Sequence, residues 1–371
     1  MVPGEAVLVA RGYLLSNIAP ARVQGTACRS RIAYFDNLRA IAIMMVLATH
    51  CFPPANLMSG TLFNEHHPLV SLIGGATAIF VFIAGFFYER VYRQRLSTGQ
   101  LLQQRAAALL PPYLFISLVL IASGLEPGIR TIAPTAGQSP LAAINLWLIT
   151  GTAGPAMWFV PFILALLLFT PAFARFATLP RRAQLAVLGV LLAVSMTVPR
   201  HPYILLQNVP HFALFYAFGI FWARHEAALG ATVRRGWVLA GLGLLLALGM
   251  AAQYRIGVPT EFGAPEPMFG ARDLIVVRKM ILIALLIGLL SRFLDRPVTP
   301  LTPLAERSFG LFFVHQPVLL WLKRAFGLVA VYRDPWSLSL MLWVATLTVS
   351  LAVLALGRAL LGPRGRLLLG A

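Results

Sequence analysis

A chain of 371 residues that is 59% hydrophobic, only 11% charged and has a mean hydropathy of +0.80 cannot be a water-soluble globular domain; it is composed like a polytopic membrane protein. Its net charge of +18 invites a nucleic-acid reading, but the basic residues form no stripe with interleaved aromatics. They stand in the breaks between apolar runs, which is the positive-inside pattern and argues against a nucleic-acid partner.

Residues 1–33 hold Glu5, Arg11, Arg22 and Arg29 without a continuous apolar run. No cleaved signal peptide is expected there, and the segment reads as a poorly ordered cytoplasmic extension. Apolar runs separated by Pro, Gly and charge then predict about ten membrane helices, at 36–53, 69–88, 109–124, 156–174, 183–198, 209–223, 236–252, 274–291, 307–322 and 336–357. The third is expected to begin behind Pro111-Pro112, and a short apolar piece covers 141–150. With the N-terminus inside, the larger share of the 30 basic residues falls in cytoplasmic segments. The expected fold is therefore all-α and polytopic: a bundle of about ten transmembrane helices, both termini cytoplasmic. One membrane domain occupies 34–357, followed by a short basic cytoplasmic tail over 358–371. Loops of at most about twenty residues leave no room for an independently folding unit. Neither an internal repeat nor a broken-helix signature is visible, which weighs against a secondary transporter.

The stretch from Tyr34 to Phe52 stands apart. It is apolar enough to cross a membrane, yet carries Asp36 and Arg39 near one end and His50 near the other. Ionisable residues inside a span mark function by default. Arg39 and His50 are close to three helical turns apart, so both leave the same face roughly 16 Å from each other along the axis. Asp36, three residues before Arg39, can orient its guanidinium. His50 is the best general base in the apolar runs, its unperturbed pKa lying nearest neutrality. The alternative is structural: Arg39 snorkels to a headgroup phosphate and His50 bonds a neighbouring helix. Cys28 and Cys51 have neither metal-ligand spacing nor a disulfide framework. Glu65, His66 and His67 read as solvated loop residues, and with no HExxH, GxSxG or phosphate-binding Gly-rich loop no metal or bound cofactor is expected.

Asp36-Asn37-Leu38-Arg39 and then, after ten intervening residues, His50 resembles the signature of the acyltransferase 3 family of integral membrane acyltransferases. Four further stretches agree in order: FVFIAGFFY at 80–88, QRAAALLPPY at 104–113, MWFVPFILAL at 157–166 and SFGLFFVHQPVL at 308–319. The resemblance covers about 34 to 357. It implies transfer of an acyl group, commonly acetyl from acetyl-CoA on the cytoplasmic side, to a hydroxyl of a glycan, lipid-linked sugar or other envelope molecule, in the cell membrane and in contact with membrane lipids. His50 would then be the catalytic base, with Arg39 and Asp36 beside the donor. Arg105 matches the first position of the family's R-x-x-R, but the second is Ala108; Arg90 and Arg93 carry the same spacing upstream. These three arginines are the donor-binding expectations, through guanidinium–phosphate pairing. His315 matches the family's late histidine, with an interhelical hydrogen bond its expected role. Trp158 is expected to pack, and His211 is held in reserve for acceptor contact. Two rivals remain: a transporter or flippase in which Arg39 and His50 line a substrate or proton path, and a catalytically silent scaffold.

Overall fold

A computed structural model describes residues 32–52, 72–124, 139–198, 205–256, 274–326 and 335–370. The extension over 1–31, Cys28, Glu65, His66 and His67 lie outside the described residues. The described chain is helical, with no strand among the described residues. In order the helices are α1 (Ala33–Cys51), α2 (Thr77–Phe87), α3 (Thr98–Ser123), α4 (Pro140–Thr150), α5 (Phe159–Leu168), α6 (Thr170–Thr178) and α7 (Arg181–Thr197). They continue with α8 (Leu205–Arg224), α9 (Glu226–Val233), α10 (Gly236–Ile256), α11 (Leu274–Phe293), α12 (Thr302–Ala325), α13 (Pro335–Leu361) and α14 (Pro363–Leu369). A π-helical turn over Tyr88–Tyr92 extends α2.

Each expected apolar run falls wholly or partly on a helix, but several boundaries differ for local reasons. Helix α3 starts at Thr98, well before the proline pair, because Ser97 and Gln100 close a capping box: Gln100 N donates to Ser97 Oγ at 3.3 Å and Ser97 N to Gln100 Oε1 at 2.9 Å. Pro111 and Pro112 then sit inside the helix. The run at 156–174 is two helices, α5 and α6, bent by 57° at Phe169, where Pro171 occupies the first turn of α6. A second bend, of 81°, separates α9 from α10. Broken elements are thus present although no sequence signature announced them.

Length and composition alone mark three helices as able to cross a membrane (α3, α11 and residues 337–361 of α13), or up to five if each bent pair is one span. This is fewer than the ten suggested by the apolar runs, and the reason is where the polar residues are. Helices α1, α8 and α12 have 19, 20 and 24 residues, long enough for a bilayer. They carry buried polar groups, Asn37 and Arg39, Asn208 and His211, Ser308, His315 and Gln316. A helix enclosed by other helices can carry such groups on protein-facing surfaces, which lowers its mean hydropathy.

Helix α1 divides the interior in two. Phe35, Leu38 and Ala42 pack with Phe82 and Phe86 of α2, Phe162 of α5 and Phe212 and Tyr216 of α8. Ile43, Val46 and Leu47 pack on the other side with Tyr113 of α3 and Leu311 and Phe313 of α12. Helices α2 and α8 meet backbone to backbone: a Cβ on Gly85 would stand 2.0 Å from the Tyr216 carbonyl oxygen, and one on Gly219 would stand 2.1 Å from that of Phe82. The tail is also structured, as α14 packs against α3, α12 and α13.

The glycine contact sets a test of this packing. Gly219→Ala should lower the thermal stability of the detergent-solubilised protein by about 1–3 kcal/mol, since the obstructing atoms are backbone and cannot rotate away. Gly241→Ala, with nothing within 4 Å, should be neutral or stabilising. Equal melting temperatures for the two variants in size-exclusion thermal assays would mean that α2 and α8 are not in such contact.

Candidate active site

The two ends of α1 carry different chemistry. At its start, Asn37 Nδ2 donates to the carbonyl oxygens of Leu294 at 2.8 Å and Arg296 at 3.1 Å, which pins the start of α1 against the C-terminal end of α11. Beside it Arg39 Nη1 lies 3.8 Å from Asp36 Oδ1, with side-chain exposures of 7% and 16%. The i,i+3 spacing read from the sequence thus does place the carboxylate at the guanidinium. At these exposures the pair is poorly screened by solvent and salt.

The arginines expected at the donor lie on the same side of the bundle. Arg93 Nε bonds Glu89 Oε2 at 2.5 Å, and Arg224 Nη1 bonds Glu89 Oε1 at 3.2 Å. Arg90 pairs with Glu226, whose Oε1 also accepts from Tyr34 OH at 2.8 Å. The π-helical turn supplies Glu89 and Arg90, and its wider backbone spacing re-aims them toward α8 and α9. Arg105 stands with its guanidinium carbon 4.6 Å from the Tyr92 ring centroid. Stacking occupies the face of the guanidinium and leaves its N–H edge for an oxyanion.

At the other end of α1, the His50 and His315 rings meet with centroids 5.3 Å apart and planes tilted by 36°. His50 is half-buried and His315 is fully buried. The Nδ1–H of His315 donates to the Leu311 carbonyl oxygen at 2.9 Å, since a carbonyl can only accept. In the neutral ring this leaves Nε2 as an acceptor. Among the described residues neither His315 Nε2 nor Gln316 Oε1 has a hydrogen-bond partner, although both residues are at most 2% exposed. Buried polar atoms are nearly always bonded, and of these two His315 Nε2 belongs to the ring that meets His50. Pro317 adds to the local polarity, because it lacks the N–H that would engage the Phe313 carbonyl.

An aromatic wall flanks the histidines. Phe312 lies 6.2 Å from His315, Phe159 lies 5.4 Å from Phe312, and Trp158 lies 6.1 Å from Phe159 and stacks on Phe212 at 5.7 Å. Trp158 is buried in this wall. His211 instead joins α8 to the end of α7, its Nδ1 donating to the Val198 carbonyl at 3.1 Å and its own carbonyl accepting from Ser195 Oγ at 2.8 Å. Cys51 is buried with Sγ 3.9 Å from Thr346 Oγ1. Among the described residues no three of His, Cys, Asp and Glu are grouped as metal ligands would be.

Sequence reasoning missed Gln316, the Tyr34–Glu226–Arg90 cluster, and the burial of Arg278 and Lys279 on α11, to which it gave no role. For the last pair a signal was present: two adjacent cations inside an apolar run.

No curated protein and no solved structure matches the chain. A family model described as an acyltransferase domain matches residues 32–356, a span that contains both ends of α1, Arg90, Arg93, Arg105 and His315. Nearly the whole chain therefore belongs to the acyltransferase 3 family, and the protein is a membrane acyltransferase.

Proposed function

We propose that the protein moves an acyl group, acetyl before longer chains, from acyl-CoA to a hydroxyl of a carbohydrate or other cell-envelope acceptor, with His50 as general base. In this reading the chain lies in the cell membrane as a bundle of about ten spans with both termini cytoplasmic. The observation that carries it is the His50–His315 pair at one end of α1, with the Arg39–Asp36 pair at the other. The acceptor hydroxyl gives its proton to His50 as its oxygen forms a bond to the thioester carbonyl carbon. The C–S bond then breaks and the proton returns to the departing thiolate. Arg39, oriented by Asp36, and Arg105 hold phosphates of the donor. The acyl end reaches up the bundle to His50, so the roughly 16 Å along α1 is spanned by the pantetheine arm. His315 positions the His50 ring and accepts at Nε2 from a second hydroxyl of the acceptor.

Removing the base should cost about 10²–10⁴-fold in turnover. His50→Ala should therefore lose acetyl transfer from labelled acetyl-CoA to a panel of envelope glycans while keeping its size-exclusion profile. Wild-type rates in that variant would end the assignment. Arg39→Lys keeps the charge but not the planar fork, and should raise the apparent donor KM with turnover falling more than about tenfold. A loss within about threefold would instead match a snorkelling arginine.

The donor-side arginines should separate in the same assay. Arg105→Ala should raise donor KM without a loss of stability, whereas Arg90→Ala and Arg93→Ala should lower thermal stability, because the first removes the arginine paired with Glu226 and the second leaves the Glu89 carboxylate, 9% exposed, with Arg224 alone. Sidedness gives the last check: in oriented proteoliposomes, donor supplied on the side of the termini should acylate acceptor supplied on the other. Turnover restricted to mixtures on one side would refute the cross-membrane arrangement.

A further inference from the structure

Three tyrosines from two elements gather around Arg105. Arg105 stands about two turns along α3 from its capped start, and Tyr216 stands about two turns before the end of α8, where Arg224 bonds Glu89. Tyr88 and Tyr92 are the first and last residues of the π-helical turn. The Tyr88 ring lies 5.8 Å from that of Tyr216, and the Tyr92 ring lies 4.6 Å from the Arg105 guanidinium carbon. The Tyr216 hydroxyl is within electrostatic reach of both the Tyr88 hydroxyl and the Arg105 guanidinium. The turn thus brings a ring to each of its two neighbours, α8 and α3.

Tyr88 and Tyr216 are 4% and 1% exposed, and among the described residues neither hydroxyl makes a hydrogen bond. A buried tyrosine hydroxyl ordinarily finds a partner, as Tyr34 does at Glu226 and Tyr113 does at the Leu148 carbonyl oxygen, 2.6 Å away. The nearby carboxylates are already engaged, Glu89 by Arg93 and Arg224 and Glu226 by Arg90. Arg105 has no share in these pairs: among the described residues its guanidinium has the Tyr92 ring and no carboxylate. Two hydroxyls and a guanidinium edge that face no anion of the protein are donors for an oxyanion brought by a ligand. The donors come from the π-helical turn, α8 and α3, in three directions. A phosphate, whose oxygens are spread over a tetrahedron, can accept from all three, whereas a planar carboxylate suits a single fork.

We propose that the Tyr88 and Tyr216 hydroxyls join the Arg105 guanidinium in holding one phosphate of the acyl-CoA donor, so that the two tyrosines make the enzyme select a nucleotide-bearing thioester over a bare acyl-pantetheine. The role rests on the reading of acyl-CoA as donor; the phosphate site does not require turnover. The π-helical turn then has a second consequence besides aiming Glu89 and Arg90, because it also sets Tyr88 against α8 and Tyr92 against Arg105.

The test uses the full-length protein in detergent, with Tyr88→Phe and Tyr216→Phe, which remove the hydroxyls and keep the rings that pack here. Binding of the unreactive analogue desulfo-CoA is read by calorimetry, with pantetheine as the phosphate-free control, and acetyl transfer from acetyl-CoA is measured in parallel. Each variant should bind desulfo-CoA about tenfold more weakly than wild type, with pantetheine affinity and melting temperature unchanged. Donor KM should rise by a similar factor with kcat little altered. Arg105→Ala/Tyr216→Phe should lose less than the product of the two single losses, because both groups act on one phosphate. Should one Phe variant fail to fold, the other and Arg105→Ala decide. Unchanged desulfo-CoA affinity, or an equal loss for pantetheine, overturns the site. A membrane phospholipid is the other source of a phosphate. If phosphatidylglycerol nanodiscs stabilise wild type over phosphatidylcholine ones, and the Phe variants lose that gain while binding desulfo-CoA normally, the donor assignment is overturned in favour of a headgroup. Acetyl transfer with unchanged desulfo-CoA affinity in the variants sinks the phosphate site alone; desulfo-CoA binding that the variants weaken, without turnover in wild type, sinks acyl transfer and leaves the site standing.

Discussion

An ionisable side chain within a bundle surrounded by hydrocarbon must find its partners inside the protein, and α1 is built around that constraint at both ends. The Arg39 guanidinium is met by Asp36 one turn away on its own helix, so the pair forms with the helix and needs no second element to complete it. His50 has no such local carboxylate in α1; the group that meets it, His315, comes from α12 and depends on the tertiary fold. The first contact is inherited from helix periodicity and the second from packing. Because α1 lies between two apolar clusters, loss of either cluster would move one end relative to its partners.

The π-helical turn after α2 belongs to the same economy of partners. By displacing Glu89 and Arg90 from the register of a regular α-helix, it lets one glutamate serve both Arg93 and Arg224 and sends Arg90 to Glu226, which also takes the Tyr34 hydroxyl. Three separate stretches of chain, at Tyr34, at 89–93 and at 224–226, are tied at that level. Exposed ion pairs of this kind contribute little singly, but a network of partly buried ones fixes geometry. Next to this network Arg105 lies over the ring of Tyr92, the last residue of the π-helical turn.

Much of this was legible in the sequence, and the division has a physical cause. Helix existence followed from apolar runs, and the Arg39–His50 face followed from the 3.6-residue period, because both are local properties of the chain. Boundaries set by capping were missed at Ser97, where two reciprocal side-chain bonds outweigh the proline pair that begins fourteen residues later. The bends at Phe169 and between α9 and α10 were missed because hydropathy is indifferent to direction. Partner assignments that require distant segments to meet, Tyr34 with Glu226 or His50 with His315, leave no periodic trace. The family signature did place His315 among the functional residues, but its proximity to His50 is a fact of packing alone.

What keeps the two ends of α1 at a fixed separation is a set of bonds made to its backbone and its polar side chains rather than its apolar surface. Asn37 holds the first turn to the α11 terminus, Trp343 Nε1 of α13 donates to the Met44 carbonyl oxygen at 3.0 Å near the middle, and Thr49 Oγ1 reaches Ile73 at the last turn. Each of these is directional, so sliding α1 by one residue would break all three, whereas apolar contacts alone would tolerate such a slip with repacking. A helix held in this way cannot bring Arg39 toward His50 by local motion. On the acyl-transfer reading any joint action of the two residues must therefore pass through a substrate long enough to touch both, and a donor with its charge at one end and its reactive carbonyl at the other has that form.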